Sequence, residues 1–358
     1  MPLPSISEFL KSAACRLEPL WRATLDDHAL ALRWSPDGAW LAALSAAGTL
    51  AVFDAASGAP RWTQSAHRVG GMTLDGSPDG ELLATGGQDG RVRLWRAASG
   101  EPVADVPAGA SWVERVAWSP ARADGQPALL ASAAGKTLRF WTPTGALVSE
   151  HARHTSTIAD IQWHPTRRAL VTASYGMLTL WVPGADIPAE VFAWKGSHLA
   201  AAWRPDGKYL VVGDQDATIH AWDTTTGEDL MMSGYQTKVR ELAWHPRGRF
   251  LATGGGMVIT IWDFSGRGPA GSTPVALEGH AGLVTALSYR PDGRVLASGG
   301  EDGLLLWRPP EKPGRPASPA GRRDIEGGVS VLAWRGDGAR IAVGNPQGDV
   351  AVLPGESA

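Results

Sequence analysis

Residues 280–308 read HAGLVTALSYRPDGRVLASGGEDGLLLWR, and this stretch decides the fold. VTALSY alternates apolar and polar positions, as a strand with one buried face requires. RPDG follows as a turn, in which Pro fixes one dihedral and Gly accepts positive φ. LASGG and LLLW then read as a second and a third strand, joined by the tight turn EDG.

The same segment recurs along the chain. Its first-strand-and-turn copies are ALRWSPDG, LDGSPDG, RVAWSP, IQWHP, AAWRPDG, LAWHPRG, LSYRPDG and LAWRGDG. Their anchors are Trp34, Gly76, Trp118, Trp163, Trp203, Trp244, Tyr289 and Trp334, spaced 40–45 residues apart. That period, with four short strands per unit, marks a propeller blade. Segments between units, such as PRWTQ, PVADV, AEVFAW and PVALEG, read as a fourth, outer strand. Eight units need eight outer strands, but only seven such segments lie between them. The strand-like EPLWRATL, residues 18–25, is therefore expected to complete the last blade, within Val329–Leu353, and to close the ring. The expected fold is all-β: one closed propeller of eight four-stranded blades over 18–358, preceded by an extension over 1–17. Seven blades plus a detached segment is the alternative. Most of the seventeen tryptophans are expected to fill space between blades.

The repeat resembles the WD-repeat family over roughly residues 18–354. The resemblance implies a buried tetrad of His, Ser or Thr, Asp and Trp. His67, Thr85, Asp89 and Trp95 match it in the second unit, and His280, Ser298, Asp302 and Trp307 in the seventh. The fourth unit keeps His154, Thr172 and Trp181 without the Asp. The fifth keeps Asp216 and Trp222, with Trp194 in the His position. The literal Trp-Asp pair survives only as Trp222-Asp223 and Trp262-Asp263. The resemblance also implies a partner-binding face at the entrances to the first strands and before the turn Asp. Mapped onto this sequence, that face offers Trp112, Glu114, Tyr175, Lys238, Arg240, Leu283 and Glu301, together with His28, Leu30, Gln88, Thr157 and Gln215. Trp, Tyr and Arg dominate interface hot spots, so Trp112, Tyr175 and Arg240 are expected to carry most of any contact. Lys238 and Arg240, facing Glu114 and Glu301 across the ring, suit a charged peptide. The alternative is that Trp112 or Tyr175 plugs the central channel.

Composition narrows the classes. A chain of 358 residues buries roughly three quarters of its unfolded surface and needs no staple, and the single Cys15 cannot close an internal bridge. A net charge of −3 gives no broad footprint for nucleic acid or an anionic membrane. MPLPSISEFLKSAAC lacks the basic and apolar regions of an export signal, and no window is apolar enough to span a membrane. The expectation is a cytoplasmic monomer. Arg well in excess of Lys, with Asn345 as the only asparagine, suggests a bacterial gene.

No catalytic constellation has the right spacing, so the chain is expected not to be an enzyme and to need no cofactor or metal. GRGPAGST follows phosphate-loop glycine spacing but lacks the Lys and the helix. His151 and His154 in HARH pair as metal ligands do, yet His154 fits a tetrad position. Extended loops at 120–127, 264–274 and 309–323 fall on the face opposite the first-strand entrances, and the last contains PxxP spacings. The expected role is a scaffold for protein or peptide partners. A metal-handling accessory role, or a small-molecule or enzymatic site in the central funnel, is the competing reading.

Overall fold

The computed structural model describes residues 15–109, 112–122, 125–152, 154–266, 268–308 and 317–355. Eight antiparallel sheets, blades 1 to 8 in chain order, form a closed β-propeller, and no helix occurs among the described residues. In blade 1, Ala29–Trp34, Trp40–Ser45, Thr49–Asp54 and Pro60–Ser65 pair in sequence order. The first strands touch one another around the whole ring, which makes them the wall of the channel.

Second strands do not alternate as half-buried strands do. Trp40–Ser45, Leu82–Gly87 and Tyr209–Asp214 are buried at every position. Both of their faces meet a neighbouring blade, so a continuous apolar run is the stable solution. Outer strands such as Pro60–Ser65 are mostly exposed. The apolar core is divided accordingly into eight clusters, each between two adjacent blades.

Trp21–Thr24 closes the ring. It pairs antiparallel with Asp349–Pro354, with Trp21 opposite Val352 and Thr24 opposite Asp349. The Trp21 indole also donates to Ala55 O of blade 1 at 2.9 Å. Trp62 repeats this grip on Ala97 O of blade 2, also at 2.9 Å. Closure removes the open edge that would pair with another chain.

Two features depart from the expected pattern. Pro319–Arg323, read in the sequence as part of the 309–323 loop, is the outer strand of blade 7, paired with Gly303–Trp307. An outer strand needs no apolar alternation and admits Pro at its first position, so PAGRR carries no strand signature. Cys15–Arg16 then adds a fifth, parallel strand beside it, and Leu17 is buried in the cluster between blades 7 and 8. The remainder of the extension, residues 1–14, and loop residues 123–124, 267, 309–316 and 356–358 lie outside the described residues.

The channel-facing edge of each first strand has no partner strand. Side chains from the preceding blade's first strand satisfy part of it. Asp75 accepts from Trp118 N at 2.8 Å and Asp160 from Ala201 N at 2.9 Å. Ser330 donates to Ala29 O at 2.6 Å. Arg33 pairs with Asp75 and Arg115 with Asp160, which fixes both carboxylates in this role.

Candidate partner-binding faces

Antiparallel order sorts the loops between two faces. The entrance to each first strand and the turn between second and third strands share the entrance face. The turns after first strands, with the loops leading to outer strands, make the opposite one.

On the entrance face, a bulge follows the first residue of the first strand in blades 1, 2, 3, 5 and 7. A bulge re-aims its extra residue, here Leu30, Met72, Glu114, Leu199 and Thr285. Trp112 is 52% exposed, Tyr175 56% and Leu283 42%. None of the three is packed as a plug. Val69 and Met257, on the same face, are exposed as well. Sequence reasoning missed both, although Met257 betrays itself as a Met where sister turns carry Gly.

The charged candidates behave differently from one another. Lys238 and Arg240 are exposed. Glu301 is committed to the backbone, its Oε2 accepting from Leu283 N at 3.1 Å. Glu114 is half-buried, and burial raises its pKa against the opposing pull of Arg115. No ion pair links Lys238 or Arg240 to Glu114 or Glu301. The carboxylate that feels both cations is Glu241, whose pKa burial raises more than Arg240 and Lys238 lower it.

Beneath this face lie the buried networks. In blade 2 the Trp95 indole donates to Thr85 Oγ1 at 3.0 Å, and Thr85 Oγ1 lies 3.0 Å from His67 Nε2. His67 Nδ1 faces Asp89 at 3.0 Å, and Arg93 holds the same carboxylate at 2.6 Å. Burial lowers the His67 pKa against the raising pull of Asp89, and both ring nitrogens are engaged inside the network. Blade 7 joins Trp307, Ser298, His280 and Asp302 at 2.8, 2.7 and 2.6 Å. In blade 4, His154 binds Thr172 at 3.0 Å and turns its Nδ1 to Lys136 O, in place of an Asp.

Blades 5 and 6 solve the same problem with other residues. In blade 6, Tyr235 stands in for the His. The Trp262 indole donates to Tyr235 OH at 2.7 Å, and that hydroxyl lies 2.8 Å from Thr253 Oγ1. Burial pushes the Tyr235 pKa up to about 12, so the phenol stays intact. In blade 5, Val212 replaces the Thr, and Trp194 stacks on His220 with ring centroids 3.8 Å apart. Asp216 stays exposed. Asp214 is buried instead, 2.6 Å from His198 Nδ1. Sequence reasoning overlooked this pair because neither residue occupies a tetrad position.

Other histidines pack on indoles or organise turns. His151 stacks on Trp181 at 4.2 Å. His164 Nδ1 accepts from Thr166 N and Arg167 N, at 3.2 and 3.0 Å, within its turn. Burial and Arg167 lower its pKa to about 4. Among the described residues, no group of three His, Cys, Asp or Glu is placed to hold a metal ion, and no helix is long and apolar enough to cross a membrane.

The opposite face carries the aromatic end of every first strand except that of blade 2. The indoles of Trp34, Trp163, Trp244 and Trp334 donate to Ala333 O, Ala117 O, Ala202 O and Ser288 O of the preceding blade, at 2.9, 2.9, 3.3 and 3.1 Å. Each indole thus fills the seam and also latches it.

Comparison with known proteins agrees with this architecture. The family described as WD domain, G-beta repeat, matches residues 21–54, 58–96, 194–223, 229–263 and 271–307. Polyadenylation factor subunit 2 of Candida albicans is 30% identical over 33% of this chain and 22% of its own length. THO complex subunit 3 of Arabidopsis thaliana is 26% identical over 42% of this chain and 49% of its own. The chain thus spans less than half the length of these two relatives. Both are eukaryotic, which lends nothing to the bacterial origin expected from composition. The computationally designed Ika8 protein superposes with a TM-score of 0.76 at 21% identity, covering 92% of this chain and 97% of that one, a likeness of fold alone. Five stretches matching the WD repeat thus sit in a closed β-propeller of eight blades, which supports a WD-repeat propeller.

Proposed function

We propose that the chain is a non-catalytic scaffold that holds a protein or peptide partner on its entrance face. WD-repeat propellers generally act as protein-interaction scaffolds. The observation that carries the reading is the exposure of Trp112, Tyr175 and Leu283 on loops of one face, beside the cationic Lys238 and Arg240. Large apolar side chains held in water on a rigid rim are the usual anchors of an interface. Glu114 and Glu301 belong to the same rim as shaping residues, since one is half-buried and the other caps the backbone. The two relatives are named as subunits of larger assemblies, which supports the same role.

The test is capture from extracts of the native host, comparing the wild type with a Trp112→Ala, Arg240→Glu variant. Loss of a hot-spot anchor costs about 2 kcal/mol, or roughly 30-fold in affinity. The captured partner should therefore vanish with the variant. A wild type that retains nothing specific, or a variant that retains the same partner, refutes the proposal.

A further inference from the structure

First strands end on the opposite face in an aromatic residue in every blade but one: Gly76 replaces it in blade 2. The backbone does not require this glycine, because Gly76 is not among the glycines with positive φ. A Cβ built there would meet nothing closer than 3.4 Å. The ring that fills this place in the other blades is missing here, and Arg33 and Gly76 line the opening instead. The neighbouring Trp118, like Trp203 of blade 5, has a buried indole N–H without a partner.

Two cavities meet at this gap. One, of about 490 Å³, is walled by Trp34, Tyr289, Trp334, Pro36 and Pro291. The second, of about 350 Å³, runs between Trp118 and Trp163 and shares Arg33, Gly76 and Pro78 with the first. A third, of about 360 Å³, shares Ser119, Pro120 and Trp163 with the second and ends at Arg167 and Arg168. The three adjoin across the face through these shared residues, with aromatic rings gathered at one end and Arg167 and Arg168 at the other.

The cationic end has a specific cause. The turn after the first strand normally carries an Asp that accepts a backbone N–H, as Asp37, Asp79, Asp206, Asp292 and Asp337 do. In blade 4 the uncharged His164 takes over that task. Arginines in sister turns pair with that Asp, as in Arg204–Asp206, Arg290–Asp292 and Arg335–Asp337. The blade 4 turn has His164 in place of that arginine, carries Arg167 and Arg168 farther along, and has no carboxylate. Arg167 is exposed and bonds only the His164 ring, at 3.1 Å, while Arg168 is half-buried.

We propose that these adjoining cavities bind an acidic linear peptide, with an aromatic or prolyl anchor in the gap at Gly76 and carboxylates at Arg167 and Arg168. The aromatic and proline walls suit a flat apolar ring, and the unopposed arginines suit a local run of negative charge. A nucleic acid fits less well. Asp37 and Asp79, next in the chain to the lining Pro36 and Pro78, place negative charge beside the anchor end that disfavours a backbone charged along its whole length.

The test uses the full chain and fluorescence anisotropy. The probe is a labelled peptide of Phe-Pro, a triglycine spacer and four glutamates. A lysine counterpart and a labelled oligothymidine serve as comparisons. Saturable binding of the acidic probe is expected, weaker at high salt. Gly76→Trp, which fills the gap, and the Arg167→Glu, Arg168→Glu pair should each weaken it about tenfold. Arg167→Glu alone, at an exposed side chain, keeps the test valid if either of these melts early. Absence of saturable binding, equal binding of the lysine peptide or the oligothymidine, or indifference to all three variants overturns the proposal. So does weakening by Trp112→Ala, Arg240→Glu, because that pair lies on the other face. Failure here therefore leaves the entrance-face reading standing, and the converse also holds.

Discussion

Replacing Thr85 by Val tests whether the buried networks hold the propeller or merely decorate it. The two side chains have nearly the same shape, and Thr85 is fully buried, so the substitution leaves no cavity. It removes one oxygen that serves two partners, the Trp95 indole and His67 Nε2, each 3.0 Å away. Neither partner can reach water. A buried polar group left unsatisfied costs about 1–3 kcal/mol, so two together should cost about 3 kcal/mol after partial relaxation. Unfolding entropy of about 2.1 cal/mol/K per residue gives about 0.7 kcal/mol/K for the whole ring, so the melting temperature should fall by about 4 °C. Differential scanning calorimetry of the wild type, Thr85→Val, Thr85→Ser and Thr63→Val makes the comparison. Ser keeps the hydroxyl and should lose only about 1 kcal/mol for the missing methyl. Thr63 is exposed on an outer strand, and its Val variant should be neutral. A Thr85→Val shift below about 1 °C, or one no larger than that of Thr63→Val, refutes the reasoning. Blade 5 does carry Val at this place, as Val212, but there the His has also become Trp194, so no indole-to-histidine chain is left to break.

Ring closure and proton uptake give two further predictions. Trp21→Ala removes a buried indole and its bond to Ala55 O, so it should cost about 3–5 kcal/mol. It should also raise light scattering below the melting temperature, through the loosened edge of Asp349–Pro354; an unchanged melt and clear solution would contradict the closure argument. Burial lowers the pKa of His67, His151, His154, His164, His220 and His245 from the ordinary 6.5. The unfolded chain therefore takes up protons first. Stability from these groups is complete above about pH 6.5 and is lost as pH falls through the folded values, to about 4 for His164. The melting temperature should be lower at pH 5 than at pH 7.5, and equality would show that burial does not govern these rings.

Much of the architecture was legible because a blade is a local object. Turn residues, strand alternation and a terminal aromatic recur at fixed spacing, and eight copies make the repeat hard to misread. Even closure by Trp21–Thr24 could be derived by counting outer strands. The outer strand of blade 7 was not legible. PAGRR has neither alternation nor bulk, and its extended form comes from the unpaired edge of Gly303–Trp307. Tyr235 was missed for a related reason: a Tyr matches a His tetrad only when its hydroxyl is seen against Thr253 and Trp262.

The sequence by itself determined the number of blades, the closing segment and which positions face inward, since these follow from periodicity and from counting. Only the tertiary structure decided what each rim residue is free to do. Glu301 is occupied by Leu283 N, whereas Trp112 and Tyr175 stand in solvent. It also decided that Gly76 leaves a gap. Such outcomes depend on atoms from neighbouring blades meeting across seams, and residues that meet there lie some forty positions apart in the chain. Their encounter is fixed by the closing of the ring, which no single repeat encodes.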